Sequence, residues 1–293
     1  MAIIACRPEF GMLSIKLAEK LRAKRIAIES KIFPDGESYL RFAENFNDGD
    51  LVVVQSCFPQ QDKRLIELLL TLNAAKELGA KRTIAVVPYL AYARQDKRFR
   101  TGEVISNVAV GKLIESVGTD LLVTVDVHNE QSLEPFRTKT INVSAMPLLA
   151  EYLKNLKLSR PYILAPDKGA ATHARRVASI LETDHTYFEK HRDTITGQVV
   201  TTDRELKLEG RDAVILDDMI STGSTIANVA KIVKRKHPRK IIAACTHALL
   251  IGDAEENMRK EGVMEIIGTD TVPSALSKVS VAPAVAESLR QIL

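Results

Sequence analysis

The stretch Ala213-Val-Ile-Leu-Asp217-Asp218-Met-Ile-Ser221-Thr222-Gly223-Ser224-Thr225 constrains this chain more than any other. The apolar run Ala213 to Leu216 suits a strand buried on both faces, as in a parallel sheet. Two adjacent carboxylates, Asp217 and Asp218, stand at its carboxyl end, where open α/β sheets bind ligands. Ser221, Thr222, Gly223, Ser224 and Thr225 then allow a tight turn, whose backbone N–H groups and following helix start can cradle a phosphate. Hydroxyls of a sugar would fall beside the carboxylates. A capped turn alone accounts for Ser221 to Thr225 but not for a charged pair directly after a buried strand.

With 293 residues and 45% hydrophobic composition, the length is more natural for two domains than for one. The 41 basic and 37 acidic residues leave a net charge of +4, too balanced for a general nucleic-acid binder but compatible with a local basic pocket for an anionic substrate. Cys6, Cys57 and Cys245 lie far apart, an odd count without framework spacing, which argues for a reducing compartment and no disulfide. Neither a signal peptide nor an apolar stretch of membrane-spanning length is apparent, so a cytoplasmic protein without membrane partners is expected.

Taken in order, Ala2 to Ala5 reads as a strand, Met12 to Lys24 as an amphipathic helix and Ile26 to Phe33 as a second strand. Phe33-Pro34-Asp35-Gly36-Glu37 is a turn by its own chemistry. Leu51 to Gln55 is the next strand, followed by a helix from about Asp62 to Leu78, a basic turn and a strand Thr83 to Val87. The stretch from Ala213 repeats this plan through a helix to Lys234, a basic turn and a strand Ile241 to Ala244. Asp120 to Val125 and Glu265 to Asp270 look like further matching strands. These parallels imply an internal duplication of one α/β unit, with a boundary near Ile141 to Met146 and domains over residues 1–142 and 143–293.

The first copy carries Arg94, Gln95, Lys97, Arg98 and Arg100 in a segment that reads either as a mobile loop closing on polyanions or as a solvated charge run. Tyr89 and Tyr92 read as packing residues. Asp126-Val127-His128 ends a strand, and His128 is either a metal ligand or a core histidine. Asp167 to Ala170 suits a second phosphate or a metal-bound one, or simply starts a helix. Alternation puts Lys190 and Arg192 on one side, facing an anion or solvent. The basic run from Lys231 to Lys240 sits at a helix C-terminus and reads as a solvated end, and a last helix spans about Ala284 to Ile292.

The stretch Asp217 to Thr225 resembles the phosphoribosyl-diphosphate binding motif of the type I phosphoribosyltransferase fold. Together with Phe33 to Glu37, Tyr92 to Lys97, Asp126 to His128, Pro166-Asp167 and Glu189 to Arg192, it resembles the ribose-phosphate diphosphokinases over nearly the whole chain. That resemblance implies two duplicated α/β domains, each with a mainly parallel sheet flanked by helices. It implies Mg²⁺-dependent transfer of the diphosphoryl group of ATP to the anomeric hydroxyl of ribose 5-phosphate, giving phosphoribosyl diphosphate and AMP. By the same resemblance Asp217 and Asp218 hold the ribose hydroxyls, Ser221, Thr222, Gly223, Ser224 and Thr225 the 5-phosphate, and His128 and Asp167 the metal. Arg94, Gln95 and Lys97 meet ATP, and Lys190 and Arg192 neutralise the transferring group. Phe33, Asp35 and Glu37 frame the adenine of a neighbouring subunit's ATP, so a homo-oligomer of at least two chains is implied. The chain departs from many relatives at Ser221, Ser224 and Lys168. A transferase that consumes phosphoribosyl diphosphate and a non-catalytic associated subunit are the competing readings.

Overall fold

Unbroken runs of Val, Ile, Leu and Ala form strands covered on both faces, and these strands carry the cores of two compact units. In the computed structural model, residues 2–46, 49–192, 199–201 and 206–293 are described, with 190–192 and 199–201 as backbone only. The first unit comprises Met1–Ser144, Thr271–Pro273 and Ser280–Leu293; the second comprises Ala145–Asp270 and Ser274–Val279.

The first unit runs β1 (Ile3–Cys6), α1 (Gly11–Leu21), β2 (Lys24–Ile32), β3 (Ser38–Phe42), β4 (Asp50–Val54), α2 (Gln61–Glu77), β5 (Arg82–Val86), α3 (Ser106–Ser116), β6 (Leu121–Val125) and β7 (Lys139–Val143). The second runs α4 (Met146–Asn155), β8 (Tyr162–Ala165), α5 (Ala171–Leu181), β9 (Asp184–Tyr187), β10 (Lys190–Arg192), β11 (Val199–Thr201), β12 (Asp212–Ile220), α6 (Ser224–Lys234), β13 (Lys240–Ala248), α7 (Ala254–Lys260), β14 (Val263–Thr269) and β15 (Ser277–Val279). The last helix, α8 (Ala282–Arg290), returns to the first unit.

The sheet of the first unit has the order β3-β2-β1-β4-β5-β6-β7, parallel except for the β2–β3 hairpin. The second has β15-β14-β13-β12-β8-β9, all parallel, and a separate antiparallel pair β10–β11. On β12, Ala213 and Ile215 pack into one apolar layer with Val229 and Ile241, while Val214 and Leu216 pack into another with Val177 and Ile242. Burial of each such aliphatic side chain contributes roughly 1.5–3 kcal/mol.

The duplication is visible bond by bond. Strands β2-β1-β4-β5-β6-β7 correspond in order and connection to β9-β8-β12-β13-β14-β15. Lys81 N–H donates to Gly49 O at 3.0 Å, and Arg239 N–H donates to Arg211 O at 2.7 Å. Asp126 N–H reaches Val143 O at 2.8 Å, as Asp270 N–H reaches Val279 O at 2.9 Å. At the amino ends of the central strands, Arg82 Nε donates to Asp50 at 2.7 Å and Arg239 Nε donates to Asp212 at 2.7 Å.

Three sequence expectations are revised. The strand read as Ala213 to Leu216 continues to Ile220, because its pairing with β13 persists through Ile220 opposite Ala248. The acidic pair therefore lies within a strand rather than after it. The division between the units falls between Ser144 and Ala145, and Ser280–Leu293, which a division at residue 142 assigns to the second half, belongs to the first unit. Strand β3 was not anticipated, although Ser38 to Phe42 alternates between half-buried and exposed residues directly after a Pro-Asp-Gly turn.

Asp212 is wholly buried and accepts from Arg239 and from Ser159 N–H, whereas the Asp50 side chain is 16% exposed. Asp212→Ala is expected to cost about 1.5–3 kcal/mol in chemical denaturation, and Asp50→Ala less, because the buried copy strands more hydrogen-bond donors.

Candidate active site

The carboxyl edge of β12 brings a carboxylate pair and the Gly223 loop together within the second unit. Asp217 Oδ1 accepts from Asp218 N–H at 2.9 Å, and Asp218 is 7% exposed. Burial, the charge of Asp218, a hydrogen bond with it and then the charge of Asp167 push the Asp217 carboxyl up to about 9. These carboxylates therefore form one electrostatic cluster, which sequence spacing alone did not reveal for Asp167. Cys245, beside Asp217 in the sheet register, is also pushed up, chiefly by burial and then by the charge of Asp217.

The loop that follows is built around Gly223. It has φ of 71° and caps α6 without any side-chain hydrogen bond to the helix, so no cap side chain occupies the first-turn N–H groups. A Cβ at Gly223 would lie 3.0 Å from Ala254 O and 3.2 Å from Met258 Cγ, which fixes glycine there on both conformational and steric grounds. Thr222 and Ser224 are exposed, with their hydroxyls 3.1 Å apart, while Ser221 and Thr225 are half-buried. Ser221 O accepts from Ile251 N–H at 3.0 Å, which ties the loop to the end of the neighbouring strand. Asp167 lies in the turn between β8 and α5, and its Oδ1 accepts from Ala170 N–H at 3.2 Å at the start of α5. Lys168 beside it is exposed. Lys190 and Arg192 belong to β10, and their side chains lie outside the described residues.

In the first unit, Phe33 to Glu37 form the tip of the β2–β3 hairpin. Phe33 N–H donates to Glu37 O at 2.8 Å, Gly36 N–H to Phe33 O at 2.9 Å, and Glu37 N–H to Asp35 Oδ1 at 3.1 Å. Phe33, Asp35 and Glu37 are all exposed, and Phe33 packs edge-on to Tyr39 with Lys31 5.0 Å above its ring. Arg94 and Lys97 are also exposed, and Gln95 is half-buried with Nε2 donating to Lys97 O at 3.2 Å. The basic run beyond is organised by Glu103, whose carboxylate accepts from Phe99 N–H at 2.7 Å and Arg100 N–H at 3.1 Å. Tyr89 packs edge-on to Phe58, and the Tyr92 hydroxyl donates to Asp62.

His128 is exposed, which removes the core-histidine alternative, while Asp126 beside it is 3% exposed with φ of 37°. At the end of α6, Arg239 and Lys240 are not merely solvated, since they pair with Asp212 and Glu265. Sequence reasoning passed over Asp96, whose carboxylate accepts from Asn129 Nδ2 at 2.7 Å. One acid interrupting a basic run was the available signal.

The duplication identifies which copy keeps the acidic site. Residues 55 and 56 of the first unit correspond to 217 and 218, and they are Gln55 and Ser56, 1% and 2% exposed. Gln55 Nε2 donates to Arg64 O at 2.6 Å, and Ser56 Oγ donates to Thr271 O. In the first copy this position is structural.

These features define the class: a phosphoribosyltransferase-type α/β fold used twice, with a buried acidic pair at the strand edge of one copy. The family model described as the N-terminal domain of ribose phosphate pyrophosphokinase matches residues 2–118, and that of the phosphoribosyl transferase domain matches residues 138–281. The ribose-phosphate pyrophosphokinase of Methanothermobacter thermautotrophicus is 42% identical over 289 residues, covering 98% of this chain and 99% of its own. That of Methanopyrus kandleri is 41% identical over 292 residues, covering 99% of each. The crystal structure of phosphoribosylpyrophosphate synthetase from Mycobacterium smegmatis superposes with a TM-score of 0.86 at 28% identity, covering 99% of this chain and 98% of that one. The chain belongs to the ribose-phosphate pyrophosphokinase family.

Because the Asp217 carboxyl is raised from 3.8 to about 9, the folded state favours its neutral form. Its contribution to stability is greatest below about pH 4 and is lost as pH rises toward about 9. Asp217→Asn should therefore raise the melting temperature of the ligand-free protein at pH 8 by at least about 2–4 °C and leave it nearly unchanged at pH 4. Thermal unfolding across that range checks the sign.

Proposed function

We propose that the chain transfers the β,γ-diphosphoryl group of ATP to the anomeric hydroxyl of ribose 5-phosphate in the cytoplasm, as a step in nucleotide biosynthesis. The observation that carries this reading is the buried pair Asp217–Asp218 followed by the uncapped, Gly223-initiated helix, retained in one copy of the duplicated fold. Carboxylates accept the two ring hydroxyls, and the N–H groups and hydroxyls of Ser221 to Thr225 accept the 5-phosphate, which leaves the anomeric oxygen as the group to react. That oxygen forms a bond to the β-phosphorus, the bond from this phosphorus to the bridging oxygen of the α-phosphate breaks, AMP leaves, and the hydroxyl proton passes to solvent.

Negative charge spreads over nonbridging oxygens during this transfer, and catalysis consists mostly of positioning and electrostatic stabilisation. Lys190 and Arg192 are assigned that task. Arg94, Gln95 and Lys97, on an exposed loop, are assigned to ATP. The residues fit a hard divalent cation: Asp167 adds charge to a carboxylate cluster that already favours a proton on Asp217, and Mg²⁺ typically takes one or two carboxylates with the rest from water and phosphate. No group of three His, Cys, Asp or Glu side chains placed to hold a metal occurs among the described residues. When bound, Mg²⁺ would neutralise phosphate charge, with Asp167 and His128 as its protein ligands.

The hairpin tip is assigned to the adenine of a neighbouring chain. Supporting an oligomer, Ile66 and Leu70 on α2 and Leu78 at its C-terminal cap are 53%, 49% and 56% exposed, and a groove of about 610 Å³ lined by Phe33, Tyr39, Phe42 and Leu70 runs beside them. No helix among the described residues is long and apolar enough to cross a membrane.

The primary test is release of AMP from ATP, Mg²⁺ and ribose 5-phosphate. Its absence, with consumption of phosphoribosyl diphosphate in the presence of a base, would favour a transferase instead. Asp218→Asn should fold and lose roughly 10–100-fold in affinity for ribose 5-phosphate by titration calorimetry, since an amide replaces a charged acceptor. Phe33→Ala should raise the KM for ATP while sparing that for ribose 5-phosphate. A fully active monomer by light scattering would remove the shared adenine site.

A further inference from the structure

Two loops of the first unit, residues 94–97 and 128–133, are joined by side-chain amides. Asn129 Nδ2 donates to Asp96 Oδ2 at 2.7 Å, and Asn129 Oδ1 accepts from Gln131 N–H at 3.2 Å. Both functional groups of Asn129 are thus committed. Behind them stands Asn107, 1% exposed in the first turn of α3. Its backbone N–H donates to Gln95 O at 3.3 Å, and its Nδ2 donates to Ser132 O. Its Oδ1 is buried without a hydrogen-bond partner. Leaving a buried acceptor unsatisfied is destabilising, so the site retains an amide at a standing penalty, and what that amide does is hold both loops.

Asp96 directly follows Gln95, and Asn129 directly follows His128. Consecutive Cα atoms are about 3.8 Å apart, so a displacement of either latch residue is passed almost undiminished to its neighbour. We infer that Asn129 and Asp96, backed by Asn107, are positioning residues that lock the Arg94–Gln95 loop to the His128 loop, so that nucleotide and metal are received by one preset arrangement. This rests on the assignment of Arg94 and Gln95 to ATP and of His128 to the metal. Neither latch side chain needs to touch a ligand. The carboxylate–amide bond is charge-assisted and both residues are half-buried, so it is stronger and less screened than an exposed pair.

The geometry permits a reciprocal test. Asn129→Asp sets two carboxylates against each other, whereas the double variant Asp96→Asn with Asn129→Asp exchanges donor and acceptor and preserves every bond, including that to Gln131 N–H. Asn129→Asp should raise the KM for ATP, and the Mg²⁺ concentration giving half-maximal rate, by about tenfold with the KM for ribose 5-phosphate unchanged; the exchange should return both to within about threefold. Titration calorimetry with a non-hydrolysable ATP analogue, in the presence and absence of Mg²⁺, should show the same loss and recovery without turnover. An exchanged variant as impaired as Asn129→Asp, or a single variant that lowers thermal stability and raises both KM values together, would overturn the latch. Arg94→Ala serves as the reference: if it binds the analogue normally, the ATP assignment fails and the inference with it. If Arg94→Ala is impaired while Asn129→Asp binds normally, the latch alone is wrong.

Discussion

The crowding of Asp217 against Asp218 and Asp167 is the constraint around which the second unit is arranged. A strand that keeps its pairing with β13 to Ile220 carries two carboxylates into the sheet, where burial and mutual repulsion favour a proton on Asp217. Flexible loops would relieve that repulsion by moving apart. Continuous backbone pairing on one side and the Gly223 turn packed against Ala254 and Met258 on the other hold the groups in place. The unit therefore holds these unfavourable electrostatics in an arrangement already formed rather than relaxing them.

The first unit shows what the same fold does without that constraint. At the positions of Asp217 and Asp218, Gln55 and Ser56 spend their hydrogen bonds on Arg64 O and Thr271 O. At the end of β1, where the second unit has its Asp167 turn, Arg7 bonds to the fully buried Glu67 and Arg64 reaches the same carboxylate at 3.1 Å. Ser38, the first residue of β3, donates to the other Glu67 oxygen at 2.8 Å. Charge that is compensated internally has no demand for a ligand, so the edge becomes a foundation for the hairpin and for the loops joined through Asn107. Amino-end clamps, by contrast, persist in both copies, because they serve strand pairing rather than chemistry.

The parts legible in sequence were those set by local pattern. Apolar runs gave strands within one or two residues of β1, β4, β5 and β6, and the order of elements exposed the duplication. The stretch Asp217 to Thr225 could be singled out as a candidate site because strand, acids and glycine turn are contiguous. What stayed hidden was set by tertiary pairing. Nothing local says that β12 extends through its acids, since that depends on how far β13 runs beside it. Nothing local assigns α8 to the first unit: α8 follows β15 yet packs on α1. Asp96 and Asn129 are 33 residues apart and meet only in the fold.

A final correspondence connects the two hairpins. In each copy the strand after the first helix, β2 or β9, is followed by an antiparallel excursion, the β2–β3 hairpin in one and the β10–β11 pair in the other. β2 leaves its parallel partner β1 at Ala27, and from Ile28 onward it pairs only with β3, so the tip is supported by its own ladder and by Ser38. An outer strand is where a parallel sheet can lengthen without disturbing its core, because its far side has no neighbour to lose. Duplication thus supplied two projecting arms from one topological opportunity. Their residues then diverged, to an aromatic and acidic tip in one copy and to a strand carrying Lys190 and Arg192 in the other.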